Sequence, residues 1–197
     1  RQSGISCPWV GVGRGEDVAP FSPEDYSNVL RPKWRGSSET KVLLYVGRLS
    51  PEKEIDVLVN AYLAMKQTAK QDIKLVIVGD GPDRGRLETL CQGGDVVFTG
   101  VLTGLNLAQA YASANVFVFA SQVETFGNVV LEAMASGLPI IAYDYASAHL
   151  HVKKGETGWL SPLGDITGFI QSIYALPHNQ QLKGMGIQAR KAVQHIG

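Results

Sequence analysis

The fold can be predicted from one stretch, Asn115-Val-Phe-Val-Phe-Ala120, together with the run that follows it, Val129-Val-Leu-Glu-Ala-Met-Ala135. The first run is short, continuously apolar and rich in aromatic and β-branched residues, which is typical of a buried strand in a parallel sheet. The second run favours a helix, and its spacing turns Leu131, Met134 and Ala135 toward that sheet. The two runs therefore predict a buried strand, a turn and a helix.

The turn between these elements is a candidate binding site. Gly127 and Asn128 fall where helix N-terminal amides point outward, which favours an anion such as phosphate. Glu124 and Glu132 flank the turn, and Asn128 and Glu132 share one helix face. Carboxylates beside a phosphate make sense if the ligand also carries hydroxyl groups, as a sugar nucleotide does. The alternative, that both glutamates are solvated charges complementing the helix dipole, stays open on spacing alone.

The same alternation of apolar runs and helical segments continues along most of the chain. Strands are predicted at 42–46, 73–78, 96–98, 116–119, 139–142 and 159–160, and later helices at 166–176 and 179–195. This order predicts an α/β fold, a Rossmann-like doubly wound parallel sheet with helices on both faces. Ligands on such sheets bind beyond the carboxyl ends of the strands, which is where the polar motifs fall.

The chain divides by pattern into three parts. Residues 1–40 are predicted as a linker, 41–176 as the nucleotide-sugar-binding domain, and 177–197 as a C-terminal helix. Within the linker, Gly11-Val-Gly-Arg-Gly15 is not followed by an apolar helix, which favours a surface loop over a phosphate loop. Ser22 followed by Pro23 predicts a short helix near 23–30.

Composition narrows the class of protein. Lys plus Arg and Asp plus Glu both number 18, and this balance argues against a nucleic-acid-binding protein. No apolar run reaches the length of a membrane span, and no signal-peptide pattern opens the chain. Cys7 and Cys91 lack metal or redox spacing, which favours reduced structural thiols. We expect a cytoplasmic protein, with peripheral attachment to the inner face of a membrane left open.

Two cations follow the first predicted strand. Arg48 comes directly after it, and Lys53 lies in the predicted first turn of the next helix. Together they could bind a diphosphate and neutralise its charge as it departs, although ordinary surface cations would show the same spacing. No Asp-x-Asp pair stands at a strand end, and Asp80 and Asp83 suit turn and N-cap roles. We therefore predict a site that works without a metal ion and without a cofactor.

Two further motifs carry weaker signals. Gly79-Asp-Gly-Pro82 and Gly85 follow a strand, but their spacing is not that of a dinucleotide fingerprint. Close approach of a ligand to this backbone and a plain tight turn are both compatible with it. His149 and His151 lack the partners that a metal site would need.

These motifs occur in an order that resembles one known family. They are Gly47-Arg-Leu-Ser-Pro-Glu-Lys53, Val78-Gly-Asp-Gly-Pro82, Phe98-Thr-Gly100, the Glu124 to Glu132 pair before Ala133-Met-Ala-Ser-Gly-Leu-Pro139, and Gly155-Glu-Thr-Gly158. The chain resembles the C-terminal, donor-binding half of family-4 retaining glycosyltransferases, also called glycosyltransferase group 1, which have the GT-B fold. The resemblance is strongest over residues 40–165.

The resemblance implies specific roles. Arg48 and Lys53 would hold the donor diphosphate, Glu124 would contact hydroxyls of the donor sugar, and Glu132 those of the ribose. Arg48, Lys53 and Glu124 would form the catalytic set. The implied donor-binding positions are Gly47, Gly79, Gly81, Thr99, Gly100, Val101, Phe126, Gly127, Asn128, Val129 and Glu132.

The resemblance also implies an activity. Such enzymes transfer a hexosyl group from a UDP-, GDP- or ADP-linked sugar to an acceptor saccharide or lipid, with retention of configuration, in cell-envelope polysaccharide or glycolipid synthesis. The acceptor domain, N-terminal in this family, is absent from this chain, which should therefore bind donor weakly and transfer nothing alone. The alternatives are a non-catalytic nucleotide-sugar-binding or regulatory module and an unrelated doubly wound domain.

The chain departs from the family pattern in two loops. Glu54 stands where relatives often have Gly, and Ala146-Ser147 where they usually have a Gly-Gly turn. Leu150 stands near a position that is usually Glu. These departures leave the role of the 144–152 loop open.

Overall fold

A computed structural model describes residues 18–68, 72–92, 95–123 and 128–196. Its centre is one parallel sheet of six strands in the order β3-β2-β1-β4-β5-β6. The strands are β1 Lys41–Val46, β2 Ile73–Val78, β3 Val96–Gly100, β4 Val116–Phe119, β5 Ile140–Tyr143 and β6 Gly158–Ser161. The predicted Rossmann-like α/β sheet is confirmed.

The helices form two packing groups around the sheet. They are α1 Leu30–Lys33, α2 Ile55–Thr68, α3 Arg84–Leu90, α4 Gly104–Ala112, α5 Val129–Ala135, α6 Ala146–His151, α7 Ile166–Tyr174 and α8 Asn179–Val193. Helix α2 packs against α3 and α7, whereas α5 packs against α4, α6 and α8. The loop predicted at 144–152 thus contains a short helix, α6.

The central strands are buried because helices cover both of their faces. Every residue of β2 and β4 is buried, whereas β3 at the sheet edge is only half-buried. Aromatic side chains fill the space between β1, β4 and α4: the ring of Phe117 lies 6.0 Å from those of Tyr111 and Phe119, and Tyr45 stacks on Phe119 at 6.2 Å. This aromatic cluster packs α4 against β1 and β4, the two adjacent strands at the centre of the sheet.

The segment predicted as a linker is, from Val18 onward, packed onto the domain. Val18, Phe21 and Trp34 keep 4% or less of their surface exposed. The Ser22 hydroxyl caps the predicted start by accepting a hydrogen bond from the amide of Glu24, but the helix there is only a 3₁₀ turn, Pro23–Asp25. The sequence shows no periodicity here because the segment buries single side chains rather than a helical face.

Arg31 ties this segment to the amino ends of β1 and β4. Its guanidinium is buried and donates to the carbonyl oxygens of Ser113, at 2.8 Å, and Thr40, at 2.5 Å. It also donates to Oδ1 of Asn115, at 2.7 Å, and to the carbonyl of Ser37, at 3.1 Å. One side chain thus satisfies four acceptors from two separate parts of the chain, residues 37–40 and 113–115.

The predictions for the two cysteines, for the Gly11–Gly15 loop and for membrane spans can be compared with the structure only in part. Cys91 is buried, and burial raises the pKa of its thiol to about 11, so the thiol stays protonated. Cys7 and the Gly11–Gly15 loop lie outside the described residues. Within the described ranges, every helix is too short or too polar for a membrane span.

Candidate functional site

The site lies where the sheet changes winding direction. From β1 the chain proceeds to β2 and β3 on one side, and from β4 to β5 and β6 on the other. Because β1 and β4 are adjacent and parallel, their carboxyl ends open side by side. On such sheets the crevice expected between the loops that follow two such strands is the usual ligand position. We call the 47–54 segment the β1 loop and the 120–128 segment the β4 loop.

Lys53 joins the two loops. Its side chain is 8% exposed, its Nζ donates to the carbonyl oxygen of Val123 at 3.4 Å, and the same atom lies 5.9 Å from the centre of the Phe119 ring. The sequence places Lys53 in the first turn of α2, but it ends a separate 3₁₀ turn, Pro51–Lys53, before that helix. The turn directs the ammonium group across the crevice toward β4.

Arg48 lies at the same edge of the sheet and is exposed. Its carbonyl oxygen accepts a hydrogen bond from the hydroxyl of Tyr45 at 3.2 Å. Burial raises the pKa of Tyr45, with Glu52 adding to the effect, so this hydroxyl remains a donor. The structure therefore anchors the backbone of Arg48 and leaves its guanidinium open to solvent beside the crevice.

Glu54 makes a second bridge between the loops. The side-chain amide of Gln122 donates to its carboxylate at 2.6 Å. Glu54 has φ 51° and ψ 37°, in the left-handed region that favours glycine. Ala146, the other position where relatives usually carry glycine, has φ 49°. Both departures from the family pattern thus lie at backbone positions that suit glycine, while Gln122 carries no signal that sequence reasoning could have used.

The left-handed backbone at Glu54 predicts a difference between two variants. Both Glu54→Ala and Glu54→Gly lose the bond to Gln122, but only alanine keeps a Cβ at positive φ. We expect the alanine variant to be less stable than the glycine variant by about 1 kcal/mol. Urea unfolding of the two measures this difference. An alanine variant at least as stable as the glycine variant would show that the backbone relaxes without cost.

The predicted glycine positions bring the β2 and β3 ends against the β1 loop. A Cβ added at Gly81 would lie 2.3 Å from the carbonyl oxygen of Leu49, and one at Gly47 would lie 2.7 Å from the Tyr45 hydroxyl oxygen. Gly79 donates its amide to the carbonyl of Gly100 at 2.9 Å. The glycines of the Gly79–Pro82 turn are thus explained by tight backbone packing, whether or not a ligand approaches them.

The implied donor-binding residues Thr99, Gly100 and Val101 lie at the end of β3. Gly100 has φ 75° and ends β3, and the hydroxyl of Thr99 donates to its carbonyl at 2.8 Å. Val101, which follows, is exposed. These three residues lie two strands away from the crevice, at the same edge of the sheet.

Glu132 is buried, although its spacing also allowed it to be a solvated charge. Its carboxylate is 4% exposed, and its Oε2 accepts a hydrogen bond from the hydroxyl of Tyr111 at 2.8 Å. Burial raises the pKa of Glu132, and the bond from Tyr111 acts in the opposite direction. The interpretation of Glu132 as a solvated charge is therefore wrong. Tyr111 was missed because, in sequence, it stands only as an apolar helix position.

The rest of the predicted turn is described only in part. Asn128 occupies the N-cap position of α5, and its carbonyl accepts the amide of Glu132 at 2.7 Å. Val129 is half-buried at the first helical position. The predictions for Glu124, Phe126 and Gly127 fall outside the described residues.

The acidic and histidine side chains have ordinary partners. Asp80 accepts the amide of Gly81 at 2.8 Å, as a turn residue does. Asp83 stands before α3 but pairs with Arg86 at 2.7 and 2.8 Å instead of capping the helix. His149 pairs with Asp144 at 2.6 Å. In the part of the chain with assigned positions, no three acidic, histidine or cysteine side chains form a candidate metal site.

The fold and the crevice define the class of protein: a Rossmann-like α/β domain with a cation at its switch point. Residues 40–179 match the family described as glycosyl transferases group 1, and the chain belongs to this family. Its sheet and its structural neighbours are those of the C-terminal domain of a GT-B glycosyltransferase.

Comparisons with individual proteins agree with this family assignment. The chain is 40% identical over 181 residues to a GDP-mannose-dependent alpha-mannosyltransferase of Mycobacterium tuberculosis, covering 91% of this chain and 45% of that protein. Sucrose-phosphate synthase from Thermosynechococcus elongatus is similar with a TM-score of 0.73 and 33% identity, over 91% of this chain and 46% of that one. An Anabaena protein solved in complex with UDP and glucose has a TM-score of 0.74 and 25% identity, over 91% and 51%. The chain spans about half the length of these relatives.

Proposed function

We propose that this domain binds the nucleotide-diphosphate sugar of a retaining hexosyltransferase, with the diphosphate in the crevice between the β1 and β4 loops. The observation that carries the proposal is the position of Lys53. Its ammonium group reaches from the β1 loop to the carbonyl oxygen of Val123 in the β4 loop, at the switch point where ligands on such sheets bind. A diphosphate bound there would be attracted by this fixed positive charge.

The residues around the crevice suit this ligand. Lys53 provides a point charge directed across the crevice, and exposed Arg48 provides a planar guanidinium that can bind phosphate oxygens in a bidentate manner. As the bond between the sugar and the diphosphate breaks, negative charge grows on the leaving phosphate. Two fixed cations at that point would stabilise the transition state electrostatically without a metal ion. Glu132 and Glu124 would bind hydroxyl groups of the ribose and the sugar.

The remainder of the reaction is assigned to parts outside this chain. An acceptor saccharide or lipid would be bound by an N-terminal domain, with its hydroxyl attacking the sugar on the face from which the nucleotide leaves. This assignment gives retention of configuration, and it makes the isolated domain a binder of donor rather than a catalyst. The proposal keeps the cytoplasmic location expected from the sequence.

GDP-mannose is the first donor to test. The mycobacterial relative at 40% identity is named for its dependence on GDP-mannose. UDP-sugars come second, because the structurally similar Anabaena protein was solved with UDP. Both share the ribose and the diphosphate, so the base is the part that the test must distinguish.

The test is a titration of the chain with GDP, UDP and ADP, followed by thermal unfolding. One of the three diphosphates is expected to raise the melting temperature progressively with concentration, because a ligand that binds only the folded state stabilises it. Inorganic pyrophosphate serves as a control for charge alone. A melting temperature unchanged by all three nucleotides would contradict the proposal and favour an unrelated doubly wound domain.

A further inference from the structure

Tyr111 and Glu132 form a buried pair between α4 and α5. Tyr111 lies on α4 with none of its surface exposed, and Glu132 lies on α5 with 4% exposed. The hydroxyl of Tyr111 donates to Oε2 of Glu132 at 2.8 Å. The two residues are 21 positions apart and belong to helices on either side of β4 in the chain, so the contact is tertiary.

The ring of Tyr111 is held in place by its neighbours. Phe21 meets it edge-on with the ring centres 5.6 Å apart and an interplanar angle of 86°. Phe117 packs at 6.0 Å with an angle of 48°. Because close-packed rings on two sides restrict rotation, the hydroxyl can point in only one direction, toward α5.

The chemistry of the pair gives each partner one role. Burial, and then the charge of Glu132, raises the pKa of Tyr111 well above its usual value, so its hydroxyl stays protonated and donates. A phenol has one proton to give, whereas a carboxylate accepts through two oxygens. Tyr111 occupies Oε2 of Glu132 and leaves Oε1 for another donor.

We propose that Tyr111 is a positioning residue that holds the Glu132 carboxylate so that Oε1 can accept from the ribose diol of the bound nucleotide. This inference rests on the proposed function. It goes further because it assigns a role to Tyr111, a side chain that does not touch the ligand. Tyr111 would control both the direction and the charge of Glu132, which does touch it. A purely structural hydrogen bond would stabilise the fold and shift the titration of Glu132, but it would leave the affinity for nucleotide unchanged.

The charged and titratable groups around Glu132 support an effect through Tyr111. On β1, Tyr45 raises the pKa of Tyr111 further. In the β1 loop, Lys53 lies above the ring of Phe119 rather than at Glu132. From α8, Arg190 donates to the carbonyl of Ala135 and not to the carboxylate. Burial raises the pKa of Glu132, and the bond from Tyr111 holds it lower than burial alone would. Removing that donor should therefore let Glu132 take up a proton at higher pH.

The experiment compares wild type with Tyr111→Phe, which removes only the hydroxyl. Tyr62→Phe is the matched control, because Tyr62 is another fully buried tyrosine, whose hydroxyl lies within hydrogen-bond distance of two backbone carbonyl oxygens, at 3.2 and 3.1 Å. The carboxyl carbon of Glu132 is followed by NMR from about pH 4 to pH 8, and GDP is titrated across the same range. The phosphate of GDP titrates near pH 6, so dissociation constants are compared as ratios to wild type at each pH.

Tyr111→Phe is expected to move the titration of Glu132 to higher pH and to weaken GDP binding about tenfold, with the ratio growing as pH falls. Tyr62→Phe should leave both unchanged. The inference is overturned if Glu132 titrates identically in wild type and Tyr111→Phe, or if the GDP ratio is the same at every pH. Wild type that binds no nucleotide would instead defeat the proposed function, and the ligand part of the inference with it. The free-protein titration would still decide whether Tyr111 controls Glu132.

Discussion

Lys53→Met is expected to weaken GDP binding by roughly 30-fold to 1,000-fold, the largest effect predicted for a single side chain of the site. Methionine keeps a long apolar stem against the ring of Phe119 but removes the ammonium group that faces the crevice. The loss should be large because a charge in a poorly hydrated position interacts strongly with a phosphate. Isothermal titration calorimetry on the two proteins measures it.

The control for this prediction is Lys191→Met. It removes the same charge from an exposed position on α8, away from the crevice. Lys53→Arg should retain part of the affinity, because it keeps the positive charge with a different geometry. If Lys53→Met and Lys191→Met bind GDP equally well, the diphosphate does not lie beside Lys53 and the proposed site is wrong.

Arg31→Ala is expected to lower the free energy of unfolding by about 3 kcal/mol or more. The guanidinium of Arg31 serves four acceptors, three of them backbone carbonyls. Burial lowers the pKa of Arg31, and that desolvation is tolerated only because the acceptors surround the group. Removing it leaves carbonyl groups without a partner and detaches the 18–40 segment from the sheet. Urea unfolding monitored by tryptophan fluorescence reports the change, since Trp34 is buried in the same segment.

Lys33→Ala provides the comparison for Arg31→Ala. Lys33 lies on the same short helix but is exposed, so its replacement should change stability by no more than about 0.5 kcal/mol. Arg31→Lys should be nearly as destabilising as alanine, because an ammonium group cannot reach the same four acceptors. Equal stability of the Arg31 and Lys33 alanine variants would mean that the 18–40 segment is only loosely attached.

The sheet was predictable because its strands are buried on both faces. A short, continuously apolar run such as Val116–Phe119 is typical of a buried parallel strand, and the structure has a strand over the same residues. Polar motifs follow those strands, so their common edge of the sheet could also be predicted. The family pattern has glycine at or near residues 54 and 146, and both residues have a positive φ in the structure.

The direction of Glu132 could not be predicted, for a physical reason. Six of the seven residues of α5 are buried, so the helix has almost no solvent face from which its rotation could be deduced. The spacing places Glu132 and Asn128 on the same face of the helix, but it does not determine whether that face is buried or exposed to solvent. The contact with Tyr111 depends on how α4 packs against α5, which is a property of the tertiary structure.

The packing of the 18–40 segment was unpredictable for a different reason. Val18, Phe21 and Trp34 are separated by turns and have no helical or strand period. The four acceptors of Arg31 come from residues 37, 40, 113 and 115, and their proximity follows only from the strand order of the sheet. Local sequence therefore indicates a linker where the folded chain has an anchored segment.

The most direct test of the central claim is to map the backbone amide shifts of the chain during a titration with GDP. The account predicts that the largest shifts fall in the β1 loop, the β4 loop and the first turn of α5, at residues 47–54 and 120–132, and that they disappear in Lys53→Met. Shifts concentrated instead at the amino ends of the strands, in the groove lined by Glu39, Asp72 and His178, would contradict it.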